Sequence, residues 1–311
     1  MGDMSRPSAG FRWFALLAAF GTWALVAVGG LVRVTESGLG CPDWPLCDGR
    51  VIPRSEKTAI FEWSHRVTAA TVSILLAIVA VWAWRRYRDR LDILVPALVA
   101  VAFVPGQAIL GAIVVWLELP GWIVGVHFVI GLLMLAVAVV TAVASWRGAE
   151  ARSTPGFRRL AAWTALAGLA LVSVGAAVVS THAIHACGRE WPACGGSFAG
   201  ASSEAAIQVT HRMLAYLVAA LAVWLAFLAL RGAGPRAAGL VPLAAVAAQM
   251  TFGIWLVLVE YTSAWHDPLA ALHVTGSGVV WAALVALAAL VLPPWPVPSK
   301  RARAAAPVRT R

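Results

Sequence analysis

Four histidines stand at repeated positions in this chain of 311 residues. His65 and His211 lie 146 residues apart, and so do His127 and His273. Each lies near the start of a long apolar stretch, where ionisable residues are costly and usually functional. Two histidines from two helices at one depth are the arrangement that ligates haem iron in a bundle. The pattern predicts two such haem sites, and the alternative is that each histidine only packs or forms hydrogen bonds.

The two predicted sites differ in one chemically active residue. Glu62 precedes His65 by three residues, and Gln208 takes the same place before His211. Side chains three residues apart share a helix face, so Glu62 would lie beside whatever His65 ligates. A carboxylate there can accept a proton or stabilise a cation, and an amide can do neither. We predict a reactive first site and a cofactor site in the second half. The alternative is a first-turn residue favoured by the helix dipole.

Three arginines are placed to bind the carboxylates of a haem. Arg66 and Arg212 directly follow two of the histidines, and Arg33 lies near the end of the first apolar stretch. Arginine pairs with carboxylates in a bidentate manner, which suits the two propionates. The alternative for all three is that the charged groups extend to the membrane interface.

The four cysteines form two close pairs, Cys41 with Cys47 and Cys187 with Cys194. Both pairs fall in loops that we expect on the outer, oxidising side of a membrane, which favours two disulfides. A zinc site built from the four, or reactive unpaired thiols, are the alternatives.

The elements that carry these residues are predicted to be transmembrane helices. The chain is 61% hydrophobic and 12% charged, which excludes a soluble enzyme, a disordered protein or a secreted disulfide scaffold. A membrane-spanning helix needs roughly 20 apolar residues. Eight stretches qualify: Phe11–Val32, Phe61–Trp84, Ile93–Leu117, Trp122–Trp146, Leu160–Ser180, Ala205–Leu230, Leu240–Glu260 and Leu269–Leu292. The predicted fold class is an all-α polytopic membrane protein.

The basic residues predict the orientation in the lipid bilayer. Seventeen of the 24 Lys and Arg residues fall on the termini and the even-numbered loops, which places both termini in the cytoplasm. The net charge of +10 therefore reflects topology, with no nucleic-acid partner expected. The basic tail Lys300–Arg311 is expected near anionic headgroups. A short N-terminus without the character of a transit peptide favours the plasma membrane of a bacterium.

The offset of 146 residues extends beyond the histidines, because Gly29 and Gly175 keep it, as do Pro96 and Pro242. We predict two repeated four-helix bundles of equal orientation. The boundaries are an N-terminal half over 1–146, a cytoplasmic linker over 147–159, a C-terminal half over 160–292 and a basic tail over 293–311. Because the four helices with histidine all run inward, both haem sites are expected near the outer face.

Two other classes of function are weighed against a haem enzyme. A di-haem b-type electron-transfer cytochrome would place one haem near each membrane face, whereas these ligands share one face. A proton-relaying transporter would place polar groups at several depths, and only Gln107 and Gln249 suggest that. The remaining histidines, His182, His185 and His266, are predicted to be solvated loop residues.

The motif that begins at Gly29 resembles one family. The residues Gly29-Gly-Leu-Val-Arg33-Val-Thr-Glu-Ser37-Gly-Leu-Gly-Cys41-Pro-Asp-Trp44-Pro-Leu-Cys47-Asp-Gly49, followed by Glu62-x-x-His65-Arg66, resemble haem A synthase. The duplicated layout extends the resemblance over nearly the whole chain, and the cysteine pair marks the version that carries a first-loop disulfide.

The resemblance implies an oxidoreductase that converts the C8 methyl of haem O to a formyl group for terminal oxidases, through the alcohol and the hydrated aldehyde. Glu62, His65 and His127 would form the substrate site, with Glu62 as the catalytic residue. His211 and His273 would ligate a haem b cofactor. The partners implied are haem O, a haem O synthase that supplies it, and an electron acceptor of unknown identity. The Cys41–Cys47 pair would either staple the loop or take part in redox chemistry.

Overall fold

A computed structural model describes residues 6–148, 151–181 and 183–293. Within those ranges the chain forms eight long helices and a short 3-10 turn, with no strands. The helices are α1 Ala9–Val34, α2 Lys57–Arg86, α3 Leu91–Trp116, α4 Gly121–Trp146, α5 Pro155–Ser180, α6 Ser203–Leu230, α7 Arg236–Leu258 and α8 His266–Val291, and the turn is Ala183–His185. All eight helices are long and apolar enough to cross a membrane. The predicted all-α polytopic fold is confirmed.

The helices begin earlier than the apolar stretches that predicted them. The fifth begins at Pro155, five residues before the predicted span, because the Thr154 hydroxyl accepts a hydrogen bond from Phe157 N at 3.2 Å. Proline in the first turn loses no helical hydrogen bond. Ser8 and Ser202 cap α1 and α6 in the same way. Polar caps of this kind lie outside any apolar window, so hydropathy alone cannot locate them.

One histidine that was predicted in a loop lies in a helix. His266 is the first residue of α8, because the polar residues His266 and Asp267 form the first turn of this helix before the apolar stretch begins. His182 and the tail Lys300–Arg311 lie outside the described residues.

Each set of four consecutive helices closes into a ring. In the first ring α1 packs against α2 and α4, and α3 packs between them. In the second ring α5 packs against α6 and α8, and α7 packs between them. The resulting bundles bury chiefly Ala, Val and Leu side chains, and the small Ala side chains allow close helix approach.

The two rings meet along α4 and α8. These two helices pack against each other, while α1 contacts α8 and α5 contacts α4 as equivalent pairs. Trp281 Nε1 on α8 donates to Leu132 O on α4 at 2.8 Å, and Trp23 Nε1 on α1 donates to Thr275 O on α8 at 3.3 Å. The helices that carry His127 and His273 therefore lie at the centre of the molecule.

The odd-numbered loops share one end of the molecule, which we call the cysteine face. It comprises residues 35–56, 117–120, 181–202 and 259–265, apart from position 182. The cysteines pair as predicted, Cys41 with Cys47 and Cys187 with Cys194. With their sulfurs joined in pairs, the four cysteines supply no thiolates for a zinc site.

Candidate haem site

The four repeated histidines all lie seven to nine residues into their helices, counted from the cysteine face. His65 and His211 are each the ninth residue of their helices, α2 and α6. His127 and His273 stand at the seventh and eighth places of α4 and α8. All four histidines are half-buried.

The rings of the second pair are close enough to share one iron. The ring centroids of His211 and His273 are 6.4 Å apart, with an interplanar angle of 78°. A metal–imidazole bond is about 2.0 Å, so two rings that share one metal can have centroids about 6 Å apart. The residues present in the second half therefore fit a bis-histidine haem.

Each histidine ring fits against a glycine of a neighbouring helix. A Cβ atom on Gly29 would lie 3.0 Å from His65 Cε1, and one on Gly175 would lie 3.1 Å from His211 Cε1. Gly253 and Gly111 take the same place beside His273 and His127, at 2.8 and 3.6 Å. The repeated pair Gly29 and Gly175 is thus explained, because any side chain there would enter the space of the ligand ring.

Two glutamines hold the backbone at the histidines of α4 and α8. Gln107 Nε2 donates to His127 O at 3.0 Å, and Gln249 Nε2 donates to His273 O at 2.7 Å. Gln249 Nε2 also lies 3.1 Å from His273 Nδ1. The sequence placed these glutamines at equivalent positions without assigning them this contact; the repeated Gln-x-x-x-Gly spacing was the available signal.

The imidazole nitrogens indicate which atom is free to bind iron. Nδ1 of His65, His127 and His211 is buried without a hydrogen bond to any described residue. Since that side of each ring is enclosed by protein, Nε2 is the nitrogen available to a ligand.

The acid and the amide that distinguish the two sites have different partners. Glu62 is buried and accepts a hydrogen bond from Arg66 Nε at 3.1 Å. Gln208 is equally buried, but its Nε2 donates to Ile184 O at 2.9 Å, and no hydrogen bond joins it to Arg212. The sequence difference at this position is therefore also a difference in hydrogen bonding.

Two of the three arginines predicted to bind propionates contact the two loops that contain the disulfides, which we call the cysteine loops. Arg66 donates to Cys41 O at 3.0 Å and Asp43 O at 2.7 Å, and Arg212 donates to Glu190 O at 2.9 Å. Arg33 is half-buried near the end of α1 and forms no ion pair with a described residue. Propionate binding remains a prediction, and Arg33 has the freest guanidinium for it.

An acidic side chain closes the tip of each cysteine loop. Asp43 accepts hydrogen bonds from Gly49 N at 2.8 Å and Asp48 N at 2.7 Å, and Glu190 does so from Gly195 N at 2.5 Å. The hydrogen bond from Gly49 holds the pKa of the Asp43 carboxyl below its ordinary value of 3.8. The two loops thus close in the same way, although the second has one more residue between its cysteines.

The structure also brings two of the remaining histidines together. His185 and His266 have ring centroids 6.2 Å apart, and both pack edge-on against Tyr261. They lie at the cysteine face, and sequence reasoning treated them as separate loop residues because nothing in their spacing pairs them.

Comparison with known proteins assigns the family. The family model described as "Cytochrome oxidase assembly protein", COX15-CtaA, matches residues 12–285. The chain belongs to this family. It is 33% identical over 259 residues to a protein named "Heme A synthase" from Exiguobacterium sibiricum, an alignment that covers 79% of this chain and 86% of that protein. The same name is carried by a relative from Exiguobacterium sp. AT1b, 30% identical over 70% of this chain and 72% of its own length. A third, from Halalkalibacterium halodurans, is 32% identical over 60% and 64%.

Proposed function

We propose that this chain is a haem A synthase that oxidises the C8 methyl of haem O to a formyl group. The observation that carries the proposal is the pair of histidine sites with an acid in one and an amide in the other. Glu62 stands beside His65, and Gln208 stands beside His211. The relatives named "Heme A synthase" support the same chemistry.

The two sites are assigned different occupants. His65 and His127 hold the substrate haem O in the first half, where Glu62 is available to the reacting methyl. His211 and His273 hold a haem b cofactor in the second half, and their centroid separation of 6.4 Å supports this assignment. When bound, haem b supplies one-electron chemistry through which electrons leave the reaction. Arg33 is the arginine that we propose for the propionates.

The reaction requires water, a base and an oxidant. A methyl group and one water give a formyl group, four protons and four electrons; in the scheme that we propose, water supplies the oxygen and an external acceptor takes the electrons. In this scheme Glu62 stabilises positive charge at the methyl carbon or accepts its proton. One Glu62 oxygen is fixed by Arg66, and the other accepts no hydrogen bond from a described residue. The free oxygen is the one that we assign to the substrate.

We place the protein in the bacterial plasma membrane with both termini in the cytoplasm. The cysteine face is then the outer face, where an oxidising environment suits the two disulfides. Both sites lie within a few turns of that surface. A haem O synthase is the partner expected to supply the substrate from within the bilayer.

The test is haem extraction with chromatography and mass detection from cells that make haem O but lack haem A. Expression of the wild-type chain should produce a formyl haem. Glu62→Gln, which gives the first site the residue found in the second, should bind haem and produce none. Bound haem b without any modified haem in the wild-type sample would instead indicate an electron-transfer cytochrome.

A further inference from the structure

We infer that Arg66 is the positioning residue for Glu62, tying the acid to the loop that carries the Cys41–Cys47 disulfide. This inference rests on the proposed function, and in it Arg66 binds the Glu62 carboxylate instead of a haem propionate. The contacts of a single guanidinium group lead to it.

The guanidinium of Arg66 is occupied on all three nitrogens. Nε donates to Glu62 Oε1 at 3.1 Å, the terminal NH2 donates to Cys41 O at 3.0 Å, and NH1 donates to Asp43 O at 2.7 Å. NH1 also lies 2.5 Å from Leu46 O. The side chains of Arg66 and Glu62 are only 15% and 8% exposed. A planar fork with this many acceptors has one geometry, and it fixes the carboxylate that it contacts.

The second half repeats the loop contacts without the acid. Arg212 donates to Glu190 O at 2.9 Å and Ala193 O at 2.6 Å, the counterparts of Asp43 O and Leu46 O. Its terminal NH2 is buried without a partner among the described residues. Holding the loop is therefore common to both arginines, and holding a carboxylate belongs to Arg66 alone.

The loop that Arg66 binds is anchored to two helices of the first half, α2 and α3. On one side Gly40 packs directly against the Thr58 backbone at the start of α2. On the other side the Trp44 ring meets the Trp116 ring at the end of α3, with centroids 6.3 Å apart. Since Arg66 donates to four backbone carbonyls of this loop, the position of the Glu62 carboxylate depends on the loop as well as on α2.

The test compares Arg66→Gln, Arg66→Lys and the matched control Arg212→Gln in purified full-length protein with an intact Cys41–Cys47 disulfide. We measure haem O binding by absorbance, the rate of haem A formation at saturating haem O, and the thermal midpoint. Arg66→Gln should lower the rate about 10- to 100-fold, the usual loss when an orienting partner is removed. Its haem O affinity should change far less. Arg66→Lys should recover part of the rate, and Arg212→Gln should lower the rate much less.

Three results would overturn the inference. Equal rate losses in Arg66→Gln and Arg212→Gln would mean that both arginines only stabilise loops. A loss of haem O binding with an unchanged rate at saturation would restore the propionate role. A wild-type rate in Arg66→Gln would remove any role in positioning. Failure of the proposed function is separate, because the wild-type protein would then form no haem A in the same assay.

Discussion

The structure gives Gln107 and Gln249 contacts that the sequence alone did not predict. In the sequence they are polar residues inside apolar helices, a pattern shared with transporters. In the structure each donates to the backbone carbonyl of a candidate ligand histidine, at 3.0 and 2.7 Å. Groups that orient a metal ligand are worth about 10- to 100-fold in metal affinity. We therefore assign both glutamines to the proposed haem sites.

This assignment predicts that the two glutamines act on different haems. Gln249→Ala should weaken retention of haem b about 10- to 100-fold, because the backbone carbonyl of His273 loses the hydrogen bond that holds it. Gln107→Ala should leave haem b in place and lower haem O binding instead. The haem-to-protein ratio after purification, followed by haem O titration, measures both. Equal haem b loss in the two variants would contradict the division of the sites.

The arginines illustrate what the sequence could not predict at the residue scale. Spacing placed Arg66 and Arg212 beside His65 and His211, and the structure keeps them there. Both arginines donate to backbone carbonyls of the cysteine loops. The positions of these carbonyls depend on how the loops fold, and every residue type has a carbonyl, so no sequence pattern predicts the contact. A long flexible side chain beside a predicted ligand therefore has more possible partners than spacing can distinguish.

At the scale of the helices, apolar length was enough to predict all eight spans. It does not explain why glycine recurs at positions 29 and 175, because the reason is a neighbouring side chain that the sequence alone does not identify. The neighbour in each case is a histidine ring on the following helix. The repeated glycines therefore allow a close approach of α1 to α2 and of α5 to α6.

We predict that Gly175→Val removes haem b while the membrane fold persists. A Cβ atom there already lies 3.1 Å from His211 Cε1, so two further methyl groups must displace the ring. Overpacking of this kind costs about 1–3 kcal/mol. Gly156→Ala in the same helix is the control, because a Cβ atom at Gly156 meets nothing within 4 Å. Absorbance and thermal melting of both variants test this, and a normal haem b spectrum in Gly175→Val would contradict the role of the glycine.

At the scale of the molecule, the repeat predicted two halves but not how they meet. The structure joins them through α4 and α8, with α1 against α8 and α5 against α4. The internal repeat predicts the two bundles. The contact between the bundles depends on the shapes of side chains at positions that are not repeated. Gly30 on α1 packs against Val274 on α8, and its counterpart at position 176 is alanine.

This contact places one peptide of α1 between the two sites. Gly29 touches the His65 ring, and Gly30 touches Val274, the residue after His273. In the function that we propose, electrons released at the first site would leave through a haem b held in the second, so the spacing of the two sites would affect the rate of turnover. Close packing at Gly30 therefore has a consequence for turnover as well as for stability.

We predict that Gly30→Leu slows electron transfer from the first site to haem b. The added side chain must push α1 away from α8, at a cost of about 1–3 kcal/mol. Gly278→Ala is the control, because its Cβ atom would lie 3.0 Å from Trp23 Cδ1 at the same α1–α8 interface, away from the histidines. Both variants should lower the thermal midpoint, and only Gly30→Leu should delay haem b reduction after anaerobic mixing with haem O. Equal delays would mean that the interface acts only through stability, and electrons would then reach haem b by another contact.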